Sequence, residues 1–302
     1  MRTSLKSLGA EQNFLGIEKE FSAFDSSRII IVSAPFEHSA TRSTGTKEAP
    51  RAILRASHQV EIFDEEIKCE ICKEHGIATL PPLNVAHKKD ESALQEIHET
   101  VLDLIGMNKF VVTLGGEHMI SSAVIAAFAK KFDNLSVLQF DAHSNLRDRH
   151  LGNKHSNASV MARVCEFLEP SKLVQVGVRA QCKEEAEYIR DNNVKVFYAH
   201  EIHNGTYTRF LKYWDDAVVE QLTSNVYVTF DVDAFDPSIM PATGAPEPGG
   251  LLWAEVMRCL RKVGQKRKIV GFDLVELAPI KTLHFPELAA AKVVSKMLNY
   301  AL

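Results

Sequence analysis

The chain has 302 residues, 45% of them hydrophobic, with 35 Lys and Arg against 39 Asp and Glu and a formal net charge of -4. That length and apolar share suffice for one large core or two modest ones. The near-balanced charge carries no basic stripe, which excludes nucleic acid as the expected partner, and no run reaches the ~20 apolar residues of a membrane span.

Met1–Glu11 holds Arg2 and Lys6 but no apolar stretch, so no secretory signal is expected. Five scattered cysteines (Cys69, Cys72, Cys165, Cys182 and Cys259) read as reduced thiols of a cytoplasmic protein rather than a disulfide framework. Cys69-x-x-Cys72 lacks the second pair or the histidines that a zinc site needs, and reads as two ordinary thiols.

In chain order, β-branched runs alternate with helical patterns. A strand is expected at Arg28–Ala34, apolar through Ile29-Ile30-Ile31-Val32, then helices at Ala49–Ala56 and Glu91–Ile105. In the latter Leu94, Ile97, Val101, Leu104 and Ile105 share one face. There follow a strand at Lys109–Leu114, a helix at Ser121–Lys131, strands at Leu135–Phe140 and Leu173–Val178, and a helix at Lys183–Asp191. The pattern closes with strand Val194–Tyr198, helix Thr208–Leu222, strand Asn225–Phe230, helix Trp253–Lys262, strand Lys268–Phe272 and helix Glu287–Leu298. Continuous apolar strands fit a parallel sheet buried on both faces. Strand–helix alternation without linkers or repeats predicts one α/β domain across residues 1–302.

In open parallel sheets, ligands bind beyond the carboxyl ends of the strands. The chemistry-bearing motifs fall at those ends: Gly115-Gly116-Glu117-His118, Asp141-Ala142-His143-Ser144-Asn145, Asp231-Val232-Asp233 and Glu276. In extended backbone, residues i and i+2 point to one side. Asp141/His143 and Asp231/Asp233 can therefore each give one ligand that bridges two ions and one that serves a single ion. Carboxylates with imidazole favour Mn²⁺ or a similar divalent ion over a thiolate zinc site, and two such ions ~3.5–4 Å apart can activate a bridging water. Taken singly, each motif reads as a turn or cap. The carboxylate of Asp236, before Pro237, is expected to pin its loop. No Lys-Ser/Thr follows the Gly pair, so a P-loop is excluded. His150, His200 and His203 lack strand-end placement and read as loop or surface residues. Arg179, at a strand end, is a candidate for the site rim or an interface between copies.

The combination resembles the ureohydrolases, the arginase and agmatinase group, and most of all agmatinase. The likeness runs from Asn13-Phe14-Leu15-Gly16 through Gly45-Thr46-Lys47-Glu48-Ala49-Pro50 to the C-terminal helix. Its most specific stretches are Phe230–Pro237, Pro241-Ala242-Thr243-Gly244, Pro246-Glu247-Pro248-Gly249-Gly250-Leu251 and Asp273–Pro279. The resemblance implies a three-layer α/β/α fold around an eight-stranded parallel sheet, a Mn²⁺ pair, and homo-oligomers that are trimers or hexamers. It implies His118 and Asn145 as first-metal ligands, Asp141 and Asp231 as bridges, and His143 and Asp233 as second-metal ligands. Glu276 resembles the acid that grips the substrate guanidinium, a task suited to a carboxylate facing a planar cation. The implied reaction is hydrolysis of a guanidino compound to urea and an amine, with agmatine to putrescine favoured over arginine because Leu146-Arg147 stands where arginases hold the amino acid's carboxylate.

Two positions depart from the pattern. Asn145 occupies the place of an aspartate, and its neutral amide is a poor proton acceptor. The first-metal site is therefore expected to be weakened. Ser156-Asn157-Ala158-Ser159-Val160-Met161 puts Asn157 where agmatinase-like relatives carry a proton-shuttling histidine, and His155 two residues upstream reads either as its stand-in or as a surface residue. These departures keep a second reading open, a catalytically inactive binding or regulatory subunit, beside hydrolysis of another guanidino acid. Deacylation on the same fold is disfavoured by Glu276 and the Pro246–Gly250 run.

Overall fold

The computed structural model describes residues 6–39, 44–209 and 213–302. Eight parallel strands form one sheet: β1 Ile29–Ala34, β2 Ile77–Thr79, β3 Phe110–Gly115, β4 Leu135–Phe140, β5 Leu173–Val178, β6 Lys195–Tyr198, β7 Asn225–Asp231 and β8 Lys268–Val275. Their spatial order is β2-β1-β3-β8-β7-β4-β5-β6. Successive side chains of a strand face opposite ways, so Ile29 and Ile31 of β1 enter one core and Ile30 and Val32 the other. The first core is covered by helices Ala49–Ser57, Trp214–Gln221, Trp253–Lys266 and Phe285–Ala301, the second by Asp90–Gly106 and Ile120–Lys131. This is the α/β/α layering with an eight-stranded parallel sheet that the sequence predicts.

The differences have local causes. Strand β2 was not foreseen; it is a three-residue edge strand, too short to show a period. Strand β8 runs three residues past its expected end because Asp273, which interrupts the apolar run, is itself buried in the strand. The helix expected at Thr208–Leu222 begins at Trp214, after a 3₁₀ turn at Thr206–Arg209; residues 210–212 of that range lie outside the described ones, as do 1–5 of the N-terminal stretch. All five cysteines are free. Among the described residues no helix is long and apolar enough to cross a membrane.

Candidate metal centre

Four neighbouring strands build the site. β3, β8, β7 and β4 lie side by side, and the residues at or just after their carboxyl ends supply His118, Glu276, the Asp231/Asp233 pair and the Asp141/His143/Asn145 set respectively. β3 and β4 follow one another in the chain yet are separated in the sheet by β8 and β7. That separation opens the crevice into which ligands of such sheets settle.

The turn after β3 depends on glycine. A Cβ on Gly116 would stand 2.1 Å from the Phe36 carbonyl oxygen, the same oxygen that accepts the Glu117 N–H at 2.8 Å. This close approach brings His118 over the sheet edge, fully buried. The Asp231–Asp233 turn is held by the Asp231 carboxylate, which accepts the Asp233 N–H at 2.9 Å, and Asp233 in turn accepts the Ala142 N–H. Asp236 pins the following loop as expected: it accepts from the N–H and hydroxyl of Ser238 and from the N–H groups of Gly249 and Gly250. Those bonds, that of the Ser238 hydroxyl foremost, hold its carboxyl down at about 2.

Two ligand groups result. His118 Nδ1 lies 3.0 Å from Asp141 Oδ2 and 3.2 Å from Asp231 Oδ2. His143 Nδ1 lies 2.9 Å from Asp233 Oδ2 and 3.5 Å from Asp141 Oδ1. The donor atoms within each group are all within 4.8 Å of one another, and Asp141 belongs to both. Burial, and then the neighbouring charges of Asp233 and Asp141, push the Asp231 carboxyl well above its usual range. Burial opposes a charged imidazole at His143, but Asp233 and Asp141 outweigh it and push that group up to about 12. Three carboxylates crowded in a buried site are the setting a divalent cation relieves. The donor set of carboxylates and imidazoles fits such an ion.

Asn145 sits inside this cluster. Its amide Nδ2 donates to Asp141 Oδ2 at 2.7 Å and comes within 3.5 Å of His118 Nδ1. Glu276 also reaches the cluster: its Oε1 accepts the His118 N–H at 2.7 Å, and burial followed by the Glu117 charge pushes its carboxyl up to about 8. Asn157 lines the same hollow, but its Oδ1 accepts the Met119 N–H at 3.2 Å. His155 is not brought to the cluster. It lines a separate surface hollow, with Nε2 3.3 Å from Glu91 Oε1. The hollow above the ligands measures about 320 Å³ and is walled by Ser39, Glu117, Arg147, His150, Glu247 and Glu276 among others. His150, read from sequence as peripheral, stands on its wall.

Several working residues were not singled out by sequence. Gln139 Nε2 donates to Asp141 Oδ2 at 2.7 Å and is itself aligned by Gln175 Nε2 at 2.6 Å. Thr229 Oγ1 meets His118 Nε2 at 3.0 Å. A signal existed: Gln139 and Thr229 are polar residues in apolar strands, each two positions before a ligand and so on the same side. Arg179 is no rim residue. Its guanidinium spans the carbonyls of Gly177, Asp233, Ala234, Phe235 and Glu247, stapling the ligand loop to the loop carrying Glu247.

Fold and site together define a hydrolase of the ureohydrolase class, and similarity to known proteins agrees. The signature of the Arginase family matches residues 27–299. N(1)-aminopropylagmatine ureohydrolase of Synechocystis is 34% identical over 305 residues, covering 99% of this chain and 97% of its own. Agmatinase of Bacillus cereus is 29% identical over 287 residues, 93% and 94% of the two chains. Agmatine ureohydrolase of Thermoplasma volcanium superposes with a TM-score of 0.83 at 24% identity, over 99% of this chain and 95% of that one. The chain belongs to the Arginase family, whose members depend on a binuclear metal centre.

Proposed function

We propose that this protein hydrolyses a linear guanidino compound to urea and an amine, with agmatine, giving putrescine, as the substrate. The observation that carries the reading is the cluster of His118, Asp141, His143, Asp231 and Asp233 on the floor of a hollow whose wall holds Glu276. The names of relatives support agmatine or its aminopropyl derivative over arginine.

Manganese is the ion we assign, in the cytoplasm of the cell, with the chain working as a trimer or hexamer. Divalent ions held there would supply a water acidic enough to act as a nucleophile at neutral pH. Two positions are framed there, one by His118, Asp141 and Asp231 and the other by Asp141, His143 and Asp233. Glu276 would orient the guanidinium by charge-assisted hydrogen bonds. The oxygen of water adds to the guanidinium carbon, the bond from that carbon to the alkyl nitrogen breaks, and both water protons end on that nitrogen, so an alkylammonium leaves and neutral urea remains.

One observation favours a second reading, an inactive binding or regulatory subunit. Neither Asn145 nor Asn157 can carry a proton, and the Asn157 oxygen is already engaged by Met119.

The deciding experiment measures urea released from agmatine, its aminopropyl derivative, guanidinobutyrate and arginine by the manganese-loaded protein, then by the Asn145→Asp/Asn157→His double variant. Brisk release by the unaltered chain removes the impaired-site reading. A metal-loaded double variant that releases urea from none of them removes the ureohydrolase reading.

A further inference from the structure

We propose that this centre takes one divalent ion per chain, seated on Asp141, His143 and Asp233, because the Asn145 amide closes the position beside His118. The inference rests on the cluster being a divalent-ion centre and on no particular substrate.

The geometry of Asn145 carries it. Asp141 Oδ2 faces the His118 side of the cluster and already accepts the amide N–H of Gln139 at 2.7 Å and that of Asn145 at 2.7 Å. A carboxylate at position 145 could not donate there. It would repel Asp141, and a cation between them would relieve the repulsion. The amide instead supplies a hydrogen-bond donor where that cation would sit. The backbone keeps it there: Asn145 has a φ of 54°, a left-handed conformation that asparagine tolerates, and its carbonyl accepts the N–H groups of Met161 and Ala162. The side chain is thus buried against the cluster, its amide on Asp141.

The ligand count points the same way. Together the two groups hold three carboxylates, Asp141, Asp231 and Asp233, with Asp141 common to both. An aspartate at 145 would have added the fourth. The position near His143 keeps a carboxylate of its own, Asp233 at 2.9 Å from Nδ1. The position near His118 has only Asp231 and Asp141, and Asp141 also serves the other group.

The test is metal content rather than turnover. Chelator-stripped protein is titrated with Mn²⁺ by calorimetry, the bound metal is counted by elemental analysis, and the manganese spectrum is recorded by electron paramagnetic resonance. The expected result is one ion per chain with the six-line spectrum of an isolated ion. Asn145→Asp should take up two, with the spectrum broadened by coupling between them. His143→Asn should abolish uptake, whereas His118→Asn should leave one ion bound. This histidine pair keeps the test decisive if Asn145→Asp folds poorly. Two ions in the unaltered chain, or uptake lost in His118→Asn and kept in His143→Asn, overturns the proposal. So does a folded Asn145→Asp variant that still binds one. Failure of every form to bind an ion overturns the metal-centre reading itself.

Discussion

Thr229 Oγ1 lies 3.0 Å from His118 Nε2 and donates its own proton to Asp273 Oδ1 at 2.7 Å. A hydroxyl whose hydrogen is committed can only accept from the imidazole, so Nε2 carries a hydrogen and Nδ1 is the atom that faces Asp141 and Asp231, at 3.0 and 3.2 Å. Tyr227 fixes the far end, donating to Asp273 Oδ2 at 2.7 Å. The tautomer a metal needs is thus built into the sheet beneath the site.

Replacing Thr229 by Val should loosen that control. The valine matches threonine in shape but offers His118 Nε2 no acceptor. Losing such a supporting contact typically lowers metal affinity about 10–100-fold. Because our one-ion proposal seats the ion away from His118, the effect should appear in the Asn145→Asp background, on the second ion only. Manganese titration of the Thr229→Val/Asn145→Asp and Thr229→Ser/Asn145→Asp pair checks this. The serine form should bind nearly as the parent does, and equal weakening in both would disprove the tautomer argument.

Arg179 holds together the two loops that carry Asp233 and Glu247. Lysine keeps the charge but loses the planar fork of donors, so Arg179→Lys should leave several buried carbonyls unpaired. A cost of about 2–3 kcal/mol follows from the desolvation of such groups. Urea denaturation should register it, and an unchanged midpoint would mean that the carbonyls find water instead.

Gly116 has no room for a side chain. With the Phe36 carbonyl 2.1 Å from a Cβ, and backbone on both sides of the contact, Gly116→Ala must displace the turn. Overpacking of this kind costs about 1–3 kcal/mol. The turn leads directly to His118, so the variant should also lose the second ion that Asn145→Asp gains. A thermal melt beside a metal count separates the two effects.

The central sheet was legible because β1, β3, β4, β5 and β7 are mostly apolar runs with β-branched residues, the signature of strands buried on both faces. The ligand positions were legible because strand ends in such sheets converge. What escaped was whatever depends on partners distant in sequence. Nothing local marks Gln175 as the group that aligns Gln139, or Arg179 as a bridge to two loops more than fifty residues further along the chain. Asn157 and His155 are two residues apart and offered equal chemistry on paper. The turn of Asn157–Ser159 directs one to the hollow and leaves the other beside Glu91.

Away from the site, Lys296 of the C-terminal helix is buried against Asp64, with Nζ 3.0 Å from Oδ2, and also meets Glu65 and Glu66. The Asp64 carboxyl lies below its usual value: burial works against ionisation, but the Ile67 N–H, the Lys296 ammonium and the Glu66 N–H together outweigh it. In the unfolded chain the group reverts to about 3.9. As pH falls the unfolded state takes up the proton first, so the stabilisation is complete above that value and is lost as pH drops through the lower folded one. Lys296→Met should remove about 3 kcal/mol at neutral pH, since it strands a buried carboxylate. Asp64→Asn should flatten the acid limb of the stability curve, and the double variant should recover part of the loss because neither charge is then left alone. Chemical denaturation across pH 3 to 7 would measure all three. An acid limb in Asp64→Asn as steep as that of the unaltered protein would assign the acid sensitivity to other carboxylates.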